Sequence, residues 1–397
     1  MNKYTEAAIA YAEYWRIRLK QALGSSRQSG EGKNILVLRP DMIGDLTCSV
    51  PFLRQLRQGF PDRHITLVTS PLAYNMMEIC PYVDEVLTYD KKAESHFFMT
   101  NLRRSREFAQ KYLLGRKWEM AIVLSYANPD TYPEAWMALM SGAKRRIAYS
   151  EKVDALKHAT YLGAYDLYFT DLLNTQEVGH EVESVMFLAK YLGLDAADTA
   201  LELWSTESDE KMVEEILQAE HLDEAKKKIV MCLSTSNDTK DWPLENYVAV
   251  ARRLLAEQQV ELLLLGAGAK DQACAERFMS EVPQAHNLIG RTTLRQTVAL
   301  LRKADFYLGG DTGPLHMAAA CGLKGVAIYK TAHDLDKMHM KGNPAKWFAP
   351  WHSDIEVIRP EKHLPGCEPD CYTASHCIAQ VTAEEVYQAL AAQMQEV

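Results

Sequence analysis

The feature that most constrains this chain is a pattern that runs through it twice. A short, uninterrupted apolar run is followed by a polar loop and then by a helical stretch, and the sequence repeats. The first series opens at Asn34-Ile35-Leu36-Val37-Leu38-Arg39 and continues with strand candidates at His64–Thr69, Val83–Leu87 and Met120–Leu124. Helical stretches fall at Ser49–Gln58, 99–114, 131–141 and 179–193. The second series restarts at Lys228-Ile229-Val230-Met231-Cys232-Leu233, with strands at Glu261–Leu265, Asn287–Ile289, Phe306–Gly309 and Val326–Tyr329. Its helices are expected over Pro243–Glu257, Lys270–Ser280, Leu294–Lys303, Pro314–Cys321 and Thr382–Gln393, the last with Thr382 as N-cap. Runs that are apolar at every position, rather than at alternate ones, belong to strands covered on both faces. Strands alternating with helices predict an α/β protein with doubly wound parallel sheets.

A chain of 397 residues has room for two such domains at about 100–200 residues each. The boundaries expected are an amphipathic helix and linker over 1–32, a first domain over 33–205 and a second over 206–397. The helix carries Tyr4, Ala7, Ala8, Tyr11, Trp15 and Leu19 close to a 3.6-residue repeat, and Gly24–Gly32 reads as flexible linker. Its partner is expected to be the protein's own surface, a second copy in a homo-oligomer, or a membrane surface, since Arg16, Arg18 and Lys20 flank the apolar face. The wholly polar run Ser205–Asp209 is the expected link between the domains.

The net charge of −9 argues against a general nucleic-acid binder, whose affinity rests on neutralising phosphates. It leaves room for a small anionic ligand held by a few well-placed donors. No apolar run approaches the ~20 residues of a membrane span, and the first helix is too charged for a secretory signal. A cytoplasmic location is expected, with the inner face of the membrane as a candidate site of action. Cys48, Cys80, Cys232, Cys274 and Cys321 read as buried thiols, and disulfides are not expected there.

Ligands of open α/β sheets bind beyond the carboxyl ends of the strands, and three loops there carry unusual residues. In Arg39-Pro40-Asp41-Met42-Ile43-Gly44-Asp45-Leu46, Asp45 reads either as a helix cap or as a general base that takes the proton of a hydroxyl nucleophile. In Leu308-Gly309-Gly310-Asp311-Thr312-Gly313-Pro314-Leu315-His316, the N–H groups of Thr312 and Gly313 at a helix start suit a phosphate. His316, one turn into that helix, is either a packing histidine or a ligand donor. This loop matches neither the Walker pattern nor the dinucleotide fingerprint. In Ser234-Thr235-Ser236-Asn237-Asp238-Thr239-Lys240-Asp241-Trp242-Pro243, hydroxyls after a buried strand and a following Lys240 suit diphosphate oxygens.

Taken together the loops resemble glycosyltransferase family 9, the heptosyltransferases of lipopolysaccharide core assembly. The resemblance spans about Asn34 to Leu390. It rests on Ile35–Arg39 leading to Ile43-Gly44-Asp45, on Lys240-x-Trp242-Pro243, and on Gly310–Ala320. It implies a GT-B architecture, two Rossmann-like domains facing across a cleft, here with an N-terminal helical extension. It also implies inverting, metal-independent sugar transfer with no cofactor beyond a nucleotide-sugar donor, typically ADP-heptose. Asp45 would then deprotonate the acceptor, and Lys240 would bind donor phosphates with Ser234 and Thr235 beside it. Asp311 would hold sugar hydroxyls, Thr312 and Gly313 the diphosphate, and His316 would join the donor site. The acceptor implied is a glycolipid or other surface glycan.

Two positions depart from the family pattern. Gly268 and Ala269 follow the Gly266-Ala267 strand end where an acid often contacts ribose, and Asp271 is the nearest acid. Lys330 follows Tyr329 where a glycine is usual, and the stretch Thr331–Trp351, with His333, Lys337, His339, Lys341 and Lys346, is individual to this chain. Cys367-x3-Cys371-x5-Cys377, beside His376, is a candidate structural zinc or iron site, although its spacing is not a double Cys-x2-Cys ribbon. Rival functions are a GT-B-like sugar-nucleotide epimerase or hydrolase, a protein-modifying heptosyltransferase, and a non-catalytic assembly protein.

Overall fold

The computed structural model describes residues 2–24, 32–91, 98–128, 130–175, 177–336, 344–365 and 376–395. The chain divides into two units, Met1–Thr199 and Ala200–Val397. The expected linker after Gly24, the residues Lys337, His339 and Lys341, and the cysteines Cys367 and Cys371 lie outside the described residues.

The first unit opens with helix α1 (Lys3–Gly24) and then builds one parallel sheet from β1 (Asn34–Arg39), β2 (His64–Thr69), β3 (Glu85–Thr88), β4 (Trp118–Val123), β5 (Arg145–Tyr149) and β6 (Asp171–Leu173). Its strand order is β3-β2-β1-β4-β5-β6. Ile35, Leu36, Val37 and Leu38 are wholly buried, as their uninterrupted apolar run requires of a central strand with helices on both faces. Helices α2 (Ile43–Gly59), α3 (Pro71–Met77), α4 (Phe98–Phe108), α5 (Tyr132–Met140), α6 (Ala155–Tyr161) and α7 (Glu181–Tyr191) supply those layers. After Phe108 the helix widens, with Leu114 N–H donating to Ala109 O five residues back. The apolar pattern does not announce strands β5 and β6 or helix α6, because their short runs carry Arg145, Arg146, Asp171 and Lys157.

The second unit repeats the plan with α8 (Glu207–Ala219), β7 (Lys227–Cys232), α9 (Leu244–Glu257), β8 (Val260–Leu264), α10 (Ala269–Glu281), β9 (His286–Asn287), α11 (Leu294–Leu301), β10 (Phe306–Gly310), α12 (Gly313–Ala320), β11 (Lys324–Ile328), α13 (Pro344–Trp347), β12 (Ile355–Ile358) and α14 (Ala383–Gln395). Its order, β12-β11-β10-β7-β8-β9, is that of the first unit. Counted within each unit, both sheets run 3-2-1-4-5-6, the Rossmann order. In each, the order reverses between the first and fourth strands, β1 and β4 or β7 and β10, and ligands of such sheets bind at that reversal.

The run Ser205–Asp209 is not a linker. Thr206 Oγ1 accepts from Asp209 N–H at 3.3 Å while Asp209 Oδ2 accepts from Thr206 N–H at 3.0 Å, a reciprocal cap that starts α8. Polarity there serves the helix terminus. Close packing at the end of β10 needs glycine: a Cβ on Gly309 would lie 2.6 Å from Tyr307 Oη and 2.9 Å from Cys232 Cβ. No helix among the described residues is long and apolar enough to cross a membrane.

Candidate functional site

In the first unit the loop after β1 leads straight into α2. Asp45 sits in the first turn of α2, and its Oδ2 accepts from Met42 N–H at 3.2 Å, so the side chain caps the helix. Its other oxygen is engaged as well, with Oδ1 3.3 Å from Arg39 Nη2. Arg39, at the end of β1, also pairs with Glu181 at the start of α7, with Asp41 at 3.4 Å and with Ser125 Oγ at 3.3 Å. Asp41 accepts from Ser125 Oγ at 2.9 Å and from Lys91 Nζ at 2.8 Å, and Lys91 pairs in turn with Glu134. The result is an alternating chain, Glu181–Arg39–Asp41–Lys91–Glu134, at the β1/β4 reversal, with Asp45 branching from Arg39.

Four carboxyls share two cations here, and exposure separates their roles. The side chains of Glu181, Asp41 and Glu134 are 2%, 7% and 0% exposed, whereas that of Asp45 is 25% exposed. Burial pushes Glu181 and Glu134 up to about 7. Against the upward pull of burial, Lys91 and Arg39 hold Asp41 down to about 2. Burial also raises Asp45 from its ordinary value, and neighbouring Asp41 adds to this, while Arg39 acts in the opposite direction. The accessible carboxylate is therefore a stronger base than a free aspartate, and its proton acceptor is held in place from two sides.

In the second unit the loops after β7 and β10 meet at the matching reversal. Lys240 Nζ lies 2.5 Å from Asp311 Oδ2. A Cβ on Gly310 would stand 3.0 Å from Thr235 Cγ2, so a glycine there lets the two loops approach. Thr312 turns its hydroxyl toward Gly310 O, at 3.4 Å, and Tyr307 Oη, at 3.2 Å, so no side chain caps α12. The N–H of Gly313 opens that helix and has no intrahelical partner. His316 is buried, its Nδ1 has no hydrogen-bond partner among the described residues, and burial lowers its pKa, so it is neutral at pH 7.

The hydroxyls of Ser234 and Thr235 are already engaged. Ser234 Oγ donates to Asp271, and Thr235 Oγ1 donates to Asn237 O at 2.8 Å. Asp271 folds back to accept from Ala267 N–H at 2.7 Å, and a Cβ on Gly266 would come within 2.5 Å of its Oδ2. Asp271 thus fixes the β8–α10 turn. Lys270 braces the loop through Thr235 O at 2.9 Å, Asp238 at 2.6 Å and Asp241 at 2.6 Å. Lys330 Nζ, the departure from the family glycine, reaches Thr239 Oγ1 at 3.1 Å, beside Lys240.

The structure therefore gathers Ser234, Thr235, Lys240, Asp311, Thr312, Gly313 and His316 around one strand reversal, and sets Asp45 at the other. Sequence reasoning missed Arg39, Lys91, Glu134 and Glu181. Arg39 closes the Ile35–Arg39 run, but Glu181 is 142 residues away and meets it only through the sheet order. Of the five scattered cysteines, Cys48, Cys80 and Cys232 are buried as expected, whereas Cys274 and Cys321 are half-buried. Cys377 is buried, with Sγ 3.6 Å from His376 Nδ1. Among the described residues no group of three or more His, Cys, Asp or Glu side chains is placed to hold a metal ion.

The sequence and the fold are similar to those of known proteins. The chain matches the sequence profile of glycosyltransferase family 9 (heptosyltransferase) over residues 109–364, more than half its length. It is 21% identical over 301 residues to the lipopolysaccharide core heptosyltransferase OpsX of Haemophilus influenzae, covering 75% of this chain and 79% of that protein. A crystal structure of a glycosyl transferase family 9 protein from Veillonella parvula superposes with a TM-score of 0.72 at 19% identity, over 93% of this chain and 99% of that one. The Escherichia coli heptosyltransferase WaaC with ADP superposes with a TM-score of 0.63 at 17% identity, over 91% and 99%. The fold is GT-B, two Rossmann-like units preceded by a helical extension, and the chain belongs to glycosyltransferase family 9.

Proposed function

We propose that this protein transfers a heptose from ADP-heptose to a hydroxyl of a lipopolysaccharide-type or other surface-glycan acceptor, with inversion at the anomeric carbon and without a metal ion. The observation that carries this reading is a division of chemistry between the two strand reversals. One presents a single accessible carboxylate held by a buried arginine. The other presents a lysine and an uncapped helix start. The nucleotides in E. coli WaaC structures, ADP and ADP-2-deoxy-2-fluoro heptose, support the choice of donor.

In this reading Asp45 accepts the proton of the acceptor hydroxyl as its oxygen attacks the anomeric carbon. The glycosidic bond to the diphosphate breaks on the opposite face, which gives inversion. Charge then builds on the departing ADP, and Lys240 with the α12 terminus stabilises it. Lys240 exchanges its contact with Asp311 for phosphate oxygens, and Asp311 is freed to accept from sugar hydroxyls. His316, neutral, offers its Nδ1 side to the donor. Positive charge for the leaving group comes from the protein, so chelators should leave the rate unchanged.

The test is incubation of ADP-heptose with and without a heptose-accepting core glycan, with products followed by mass spectrometry and the new linkage by NMR. An anomeric configuration opposite to the donor's is expected, formed only with acceptor present. Donor consumed equally fast without acceptor would instead make the protein a hydrolase or epimerase.

A further inference from the structure

Helix α1 is fastened to the first unit along one side only. Ala7, Ala10 and Ile17 are buried, Tyr168 Oη donates to Ala10 O at 2.7 Å, and Gln21 Nε2 donates to Leu139 O at 2.8 Å. Glu13 is clamped between Arg16 and Arg106, each at 2.5 Å. The opposite side is apolar and open: Tyr4 is 67% exposed, Trp15 67%, Leu19 62% and Leu23 79%. At 100° per residue these side chains and Tyr11 fall on one stripe, with Arg18 at one edge and Arg16 at the other.

Beside the last turns of α1 lies a groove of about 670 Å³. Six cations line it, Arg16, Arg18, Lys20, Arg106, Lys144 and Arg146, and no carboxylate does. Arg16 and Arg106 share Glu13 beneath them. Arg18, Lys20 and Lys144 make no ion pair among the described residues. Arg146 is 8% exposed, and its guanidinium donates to backbone carbonyls, Tyr168 O at 2.7 Å and Ala143 O at 2.9 Å. Its burial, and Arg18 nearby, pull its pKa down. Ile17 and Met140 supply an apolar floor. In a protein of net charge −9 this is a concentrated positive patch whose lining holds no carboxylate. Lys144 and Arg146 sit at the start of β5, so the groove lies at the end of the sheet opposite Asp45.

We propose that the outer stripe of α1 and this groove form a docking surface for a bilayer rich in anionic phospholipid. Acidic headgroups enter the groove, and Trp15, Tyr11 and Leu19 lie at the headgroup–acyl boundary, where amphipathic aromatic and aliphatic side chains partition. Charge complementarity selects this occupant over a second copy of the chain. The exposed stripe of another copy, Tyr4, Tyr11, Trp15, Leu19 and Leu23, carries no carboxylate to meet the six cations of the groove. Vesicle binding is read without catalysis, so its outcome is independent of the donor and acceptor assignment.

The experiment is co-sedimentation of the full chain with phosphatidylcholine vesicles and with vesicles that also contain phosphatidylglycerol. Binding only to the anionic vesicles is expected, weakening with salt. At about fivefold per basic residue near such a surface, the variant Arg18→Gln/Lys20→Gln/Lys144→Gln should lose on the order of 100-fold in partitioning. Trp15→Ala should lose about tenfold. Both variants should melt at the wild-type temperature, and Lys144→Gln alone, on an exposed loop, serves as a second probe if the triple variant misfolds. Three results would overturn the proposal: equal or absent binding to both vesicle types; wild-type binding by a folded charge variant; or a solution dimer that Trp15→Glu dissociates. Retention of inorganic pyrophosphate by the groove without vesicle binding would also overturn it, by making the groove a small-anion site.

Discussion

Replacing Arg39 with methionine removes the guanidinium at the centre of the first unit's charge network while keeping most of its buried stem. The partners left behind fare differently. Asp41 keeps Lys91 at 2.8 Å and Ser125 at 2.9 Å. Asp45 keeps the Met42 N–H and has solvent access. Glu181, with a side chain 2% exposed, loses its ion-pair partner. One buried carboxyl is thus orphaned, which costs about 3–5 kcal/mol when ionised. For a unit of this size, at about 2–4 °C per kcal/mol, its melting transition should fall by roughly 6–20 °C.

The loss must also depend on pH. Glu181 titrates near 7 in the folded protein against an ordinary value of 4.5, so its ionisation already disfavours the fold as pH rises through that window. Without Arg39 the folded-state value rises further, and the added penalty develops only above neutrality. Differential scanning calorimetry should therefore find the wild type and Arg39→Met further apart in alkaline than in mildly acidic buffer. The double variant Arg39→Met/Glu181→Gln should recover much of the difference. A loss under about 1 kcal/mol, a pH-independent loss, or no recovery in the double variant would refute the reasoning.

Other consequences can be tested separately. Lys240→Ala should weaken ADP binding by roughly 10- to 150-fold, the worth of one charge-assisted hydrogen bond, as measured by calorimetric titration. Gly309→Ala forces a methyl to within 2.6 Å of Tyr307 Oη and should destabilise the second unit by about 1–3 kcal/mol in urea. Thr206→Ala removes the α8 cap and should cost about 1 kcal/mol, a thermal shift of about 2–4 °C. The rate of transfer should fall on the acid side as Asp45 is protonated, with a midpoint above 3.8, since burial raises this group.

Much of this was legible in the chain itself. Central strands such as Ile35–Leu38 announce themselves because burial on both faces demands an unbroken apolar run. The turn at Gly310–Gly313 was legible as a helix start because few other patterns place glycines, a threonine and Pro314 together. Strands β5, β6 and β12 were not, since β6 and β12 lie at sheet edges that tolerate Asp171 and Glu356, and β5 opens on Arg145 and Arg146. The polar run at Ser205 misled because capping and solvation use the same residue types. Asp45 could be singled out within its loop, but the groups packed around it could not. Lys91, Glu134 and Glu181 are distant in sequence from Arg39, and only the strand order brings them to it. The nearest acid to the expected ribose contact, Asp271, is committed to its own turn, which no spacing rule would reveal.

At the centre of this account, Asp45 serves as the base while the second unit binds the donor independently of it. The most direct measurement is the Asp45→Asn variant, assayed for transfer and, in parallel, for ADP affinity. The amide keeps an oxygen for the Met42 N–H but cannot take a proton. Transfer should fall by about 100- to 10,000-fold, the usual contribution of general base catalysis, with ADP affinity unchanged. Turnover near the wild-type rate, or a loss of ADP binding matching the loss of rate, would contradict the account.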